Sequence, residues 1–194
     1  MSATLVRRIA LTTAVLAATA APAHAQNAWF FNLTPQAGAV GATGSGRATL
    51  SITGTTMTFS TFWSGLSGVT TVAHVHCCTA TPGVLPAPPA TPVPSFPGFP
   101  TGLTAGTFNI VLDLSQASSW NPAFITNNGG TTATAQAAFI AGLNSGRAYF
   151  NVHSSTFSGG EINGFSQIVP EPSTYALLAT GLAGLAAIRR RRRA

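Results

Sequence analysis

Charge is what this sequence has least of. Only 6% of its 194 residues are Asp, Glu, Lys or Arg, against about a quarter in an ordinary soluble chain. The formal net charge of +6 hides how severe the shortage is. Seven of the nine basic residues, Arg7, Arg8 and Arg189 to Arg193, sit at the two ends; residues 26–169 keep only Arg47, Arg147, Asp113 and Glu161, which sum to zero. Nucleic-acid binding needs clustered cations on the folded domain, so it is excluded. Carboxylates are equally scarce in that central part, where Asp113 and Glu161 are the only two. A Ser-His-Asp triad could be assembled only by arbitrary choice, and neither G-x-S-x-G nor H-E-x-x-H occurs, which argues against a hydrolase, and no catalytic set is assigned. Cysteine is limited to Cys77 and Cys78, so a bridge within the chain would have to join adjacent residues.

What is present is a β pattern. Apolar residues recur mostly with period 2 and are rich in β-branched and aromatic types, which predicts strands at 28–33, 47–53, 57–63, 71–77, 106–112, 147–154 and 161–168. Glycine-rich turns separate them. Short strands in this number predict an all-β fold, an antiparallel Greek-key sandwich or barrel, in one domain over residues 26–169. Thr134 to Leu143 carries Ala135, Ala138, Phe139 and Leu143 at helical spacing and predicts one short helix. Between Pro82 and Pro100 eight prolines occur in 19 residues, too many missing N–H donors for a ladder. That stretch is expected to be an extended surface loop.

The two ends read as addresses. Arg7-Arg8, an apolar run from Ile9 to Ala21 and Ala23-His24-Ala25 have the layout of a secretory signal peptide over residues 1–25. At the other end come Pro170-Glu171-Pro172, an apolar run from Tyr175 to Ile188, and the arginines Arg189, Arg190, Arg191, Arg192 and Arg193. The run is shorter than the roughly 20 residues of a comfortable span, and predicts a short or tilted transmembrane helix with the arginines held in the cytoplasm. Residues 170–194 resemble the PEP-CTERM sorting signal of Gram-negative bacteria. The resemblance implies an exosortase as partner, cutting near Pro170–Pro172, and export to the cell envelope or beyond after transient anchoring in the inner membrane.

Two motifs carry the chemistry. In Ala73-His74-Val75-His76-Cys77-Cys78, strand alternation puts His74, His76 and Cys78 on one face and Ala73, Val75 and Cys77 on the other. The apolar set should face the core, leaving the histidines outward or in a groove roofed by a loop. The second motif runs from Arg147 to Gly164 and reads as a hairpin. If Ser154 pairs with Gly160, His153 lies opposite Glu161 and Asn151 opposite Asn163, with Cβ atoms about 5 Å apart. A one-residue slip would separate them.

"AHVHCCTATPG" followed by "GRAYFNVHSSTFSGGEINGF" resembles the CHRD domain, named for chordin and widespread in secreted bacterial proteins. Asn163 stands where many family members carry Arg, so any role of that cation is absent here. A weaker resemblance joins the HxH strand to Cu/Zn superoxide dismutase, in which such a pair supplies copper ligands; the other histidines and the zinc loop of that enzyme are missing. It implies copper or zinc on His74, His76 and His153, with Glu161 orienting a ligand or adding a fourth. The structural alternative has these histidines bonding the sheet and Glu161. Three states stay open for Cys77 and Cys78: a vicinal disulfide, free thiols, or Cys78 as a soft ligand.

Two functions follow. The first is a non-enzymatic binding or structural module of the cell surface or extracellular matrix, whose charge-poor surface suits exopolysaccharide or envelope proteins. The second is a copper or zinc metalloprotein built on the HxH strand and His153.

Overall fold

A computed structural model describes residues 27–169 and 172–191. The expected signal peptide, and Pro170, Glu171, Arg192 and Arg193 of the sorting signal, lie outside the described residues.

Seven strands form, each where alternation predicts one: β1 (Asn27–Pro35), β2 (Ser45–Thr53), β3 (Thr56–Ser64), β4 (Thr70–His76), β5 (Gly106–Asp113), β6 (Tyr149–Ser154) and β7 (Ile162–Ile168). They make one antiparallel sheet in the order β4-β6-β7-β1-β2-β3-β5. The sheet curls: Phe59 on β3 meets Phe150 on β6 with ring centroids 4.8 Å apart, although three strands lie between them. The interior is filled by alternate residues, among them Trp29, Phe31 and Leu33 from β1, Leu50 and Ile52 from β2, and Met57, Phe59 and Trp63 from β3. Burying side chains of this size contributes about 1.5–3 kcal/mol each.

The expectation of a two-sheet sandwich or closed barrel needs correction. Among the described residues the strands form one sheet whose edges, β4 and β5, do not pair. The physical reason lies between them in the chain, because the proline-rich stretch takes the edge of β4. Cys77 N–H donates to Pro88 O (3.1 Å), Ala90 N–H to Val75 O (2.8 Å), and Phe96 N–H to Ala73 O (3.0 Å). Side chains finish the edge: Thr91 Oγ1 accepts from Val75 N–H at 2.9 Å, and Ser95 Oγ from Ala73 N–H at 2.9 Å. This stretch is therefore a fitted cover rather than a free surface loop. The N–H groups of Ala90, Thr91 and Phe96 go to β4, and the stretch sends Phe96 and Phe99 into the core against Phe59 and Trp63, at 5.0 and 5.2 Å.

Within the domain, helix content exceeds the one short helix expected. α1 (Pro122–Asn127) starts from an Asn121 cap with proline in its first turn. α2 (Thr132–Asn144) begins two residues earlier than its apolar spacing suggests, because Thr131 and Thr134 cap each other. A C-terminal helix, α3 (Pro172–Arg191), follows the domain. No helix among the described residues is long and apolar enough to cross a membrane. The apolar run has too few residues, includes Thr180, Gly181 and Gly184, and ends in arginine.

Candidate metal centre

The pairing of β4 with β6 places the chemistry. His74 lies opposite Asn151, His76 opposite Tyr149 and Val72 opposite His153, so His74, His76, Tyr149, Asn151 and His153 share one face of the pair. Ala73 and Val75 on the other face are completely buried in the core, as alternation predicts. The histidine face is not open either. Exposure is 6% for His74, 7% for His76 and 9% for His153, which makes this the loop-roofed alternative. Ring centroids are 4.5 Å apart for His74–His76 and 4.9 Å for His74–His153.

The ring nitrogens divide into two sets. His76 Nδ1 meets Ala87 O at 2.6 Å, and His153 Nδ1 meets Ser158 O at 2.7 Å. Each carbonyl can only accept, so each Nδ1 carries the proton and Nε2 keeps its lone pair. His74 bonds the Pro94 carbonyl, and its Nδ1 is left over. His74 Nδ1, His76 Nε2 and His153 Nε2 are all buried without a partner. One ligand nitrogen from each of the three histidines lies within 4.8 Å of the others.

Electrostatics keeps the rings neutral. Burial is the main cause, and the neighbouring His76 and His153 add to it; together they push His74 down to about 3. His76 falls to about 4 through burial, opposed by its bond to Ala87 and helped slightly by His153. Burial lowers His153 too, against its bond to Ser158. Three neutral imidazoles therefore stand together, each with one buried nitrogen unpartnered and the other held by a main-chain carbonyl. That is the donor set and outer support that copper and zinc sites use. Tyr149 stacks on His76, centroids 4.4 Å apart and planes 5° from parallel, and its hydroxyl donates to the same Ala87 carbonyl at 3.2 Å. Burial raises the Tyr149 pKa, the bond to Ala87 opposing it.

Glu161 goes elsewhere. Asn151 does pair with Asn163, but Glu161 N–H donates to Val152 O while Ile162 is the ladder partner of Val152. Two residues thus face one, a β-bulge, and the His153–Glu161 register is lost there. The completely buried carboxylate instead accepts from Ser67 N–H and from Gly68 N–H, the latter at 3.2 Å, and clamps the β3–β4 turn. Neither Glu161 nor Cys78 belongs to the histidine cluster. The Cys77 and Cys78 sulfurs are bonded to each other and press on α2 where Gly142 lacks a side chain; a Cβ there would collide with both sulfurs. A cavity of about 670 Å³ opens beside this disulfide, between α1 and α2. Arg147 is its only charged lining residue, so it offers no group of ligands for a cation.

Sequence reasoning missed Tyr149 and the carbonyls of Ala87, Pro94 and Ser158. Tyr149 was findable, since it alternates in phase with Asn151 and His153. A carbonyl leaves no residue-type signal.

A family model described as the CHRD domain matches residues 29–165, and one described as the PEP-CTERM protein-sorting motif matches residues 169–193. No curated protein and no solved structure matches the chain.

Proposed function

The chain belongs to the CHRD-domain family, and from that premise we propose an exported protein, sorted by an exosortase, whose domain holds a copper or zinc ion on His74, His76 and His153. The observation that carries the metal reading is the convergence of three buried, unpartnered ring nitrogens. Leaving a buried polar atom unsatisfied costs about 1–3 kcal/mol, and three such atoms at one point call for a shared partner. A purely structural role would have used both nitrogens of each ring, and it uses one. When bound, the ion would act as a Lewis acid or a stored cargo, while the Ala87, Pro94 and Ser158 carbonyls fix the tautomers that face it.

Among the described residues no carboxylate joins the cluster as a general base, which favours a carrier or binding module over an enzyme. The exported setting rests on the sorting motif, with cleavage near Pro170–Pro172. Away from the site the surface is rich in Thr, Ser and Asn, suited to weak contacts with exopolysaccharide or envelope proteins. Elemental analysis of the full chain isolated from cells tests the metal reading. About one copper or zinc per chain is expected, lost in His76→Ala; a metal-free chain after loading with either ion would refute it.

A further inference from the structure

The charges around the histidine cluster are missing in a way that bears on which ion it takes. The three ligand nitrogens are neutral, and among the described residues no carboxylate or thiolate shares the cluster. The Glu161 carboxylate is engaged by the Ser67 and Gly68 N–H groups, and the Asp113 carboxylate by the Ser115 N–H and hydroxyl at 2.9 and 2.7 Å. The other side chains on the face are the Asn151 amide and the Tyr149 phenol, whose proton goes to Ala87 O. Both sulfurs are tied in the disulfide.

An ion at this place would therefore be stripped of water without gaining a counter-charge. The cost of desolvating an ion grows with the square of its charge, so a dication costs about four times as much as a monocation of the same size. Zinc(II) or copper(II) would have to bring in an anion such as hydroxide, and residues exposed by only 6–9% leave little room for one. Sodium and potassium are monovalent but hard, and prefer oxygen. Copper(I) is monovalent and accepts imidazole nitrogen.

We propose that the His74–His76–His153 cluster is a cuprous site, selecting Cu(I) over Zn(II) and over Cu(II). This rests on the metal reading above and goes beyond it by naming the oxidation state. A site of this kind raises the Cu(II)/Cu(I) potential by about 59 mV for each tenfold preference for the reduced ion.

The test uses the full chain with its disulfide intact. Under anaerobic conditions Cu(I) is titrated against bicinchoninate, and Zn(II) and Cu(II) separately against a chromophoric chelator. One Cu(I) per chain is expected, bound at least ~100-fold more tightly than Zn(II), with His153→Ala losing roughly 100-fold in Cu(I) affinity. Asn151→Asp, which puts a carboxylate directly across from His74, should strengthen Zn(II) binding and narrow the preference by about tenfold. The wild-type titration alone decides the point if that variant fails to fold. Zn(II) or Cu(II) binding as tightly as Cu(I) overturns the inference and leaves the metal reading standing. A chain that takes up none of the three ions overturns both.

Discussion

Strands β3 and β6 belong to one sheet but follow different rules. β3 alternates along its length, with Met57, Phe59 and Trp63 buried and Thr58 and Phe62 in water. All six residues of β6 are buried, and so are the last four of β4. The part of the sheet built on β2, β3 and β5 has one dry face and one wet face, the ordinary economy of an antiparallel sheet. The β4–β6 part has a dry apolar face and a second buried face made of histidines, an asparagine and a tyrosine. Polar side chains are rarely roofed over without partners. Here the roof supplies one carbonyl per histidine and leaves the other nitrogen of each ring free, and that unfinished bonding is what marks the site.

The sharpest break in this comparison comes from truncating one aromatic on each side. Phe150→Ala on β6 empties a fully buried position and should cost about 3–5 kcal/mol by urea unfolding. Phe62→Ala on β3, 52% exposed, should change stability by at most about 0.5 kcal/mol. Equal losses would mean that the two regions do not differ in the way described.

Between pH 7 and 4 acid should act chiefly on the histidine region. A folded pKa below the unfolded 6.5 means that the unfolded chain binds protons first, so stability is full above pH 6.5 and falls as pH drops toward the folded values near 3 and 4. From His74 alone the loss by pH 4 is roughly 3 kcal/mol, at about 1.4 kcal/mol per pH unit. Urea midpoints measured from pH 7 to 4 should fall steeply for the wild type and less steeply for His74→Gln; parallel curves would remove the buried histidines as the cause.

A smaller effect is expected at Tyr149. Tyr149→Phe keeps the stack on His76 and loses the bond to Ala87, so stability should fall by only about 1 kcal/mol while metal affinity falls about tenfold. Affinity unchanged within twofold would separate Tyr149 from the site.

How much of this was legible beforehand follows the same division. Period 2 located all seven strands, and the Asn151–Asn163 pairing followed from the turn. It put His74 and His76 on one face as well, whereas His153 joined them only through the resemblance to Cu/Zn superoxide dismutase. α1 was missed because six residues are too few to show a helical period, although Asn121-Pro122 is a start signal. The prolines of residues 82–100 announced a broken ladder and concealed an edge cover that works through the N–H groups of Ala90, Thr91 and Phe96, the Pro88 carbonyl and the side chains of Thr91 and Ser95. Glu161 was drawn to the histidines by a register that a bulge interrupts, and a bulge at Gly160-Glu161 has no signature distinct from an ordinary glycine turn.

The central claim is that three imidazoles, and nothing sulfur-bearing, hold a transition metal. X-ray absorption at the copper edge of the full chain, loaded with one equivalent of Cu(I), tests it most directly. Three nitrogen scatterers at about 2.0 Å with the outer-shell pattern of imidazole are predicted. A sulfur shell near 2.3 Å, or a first shell without imidazole, would contradict it.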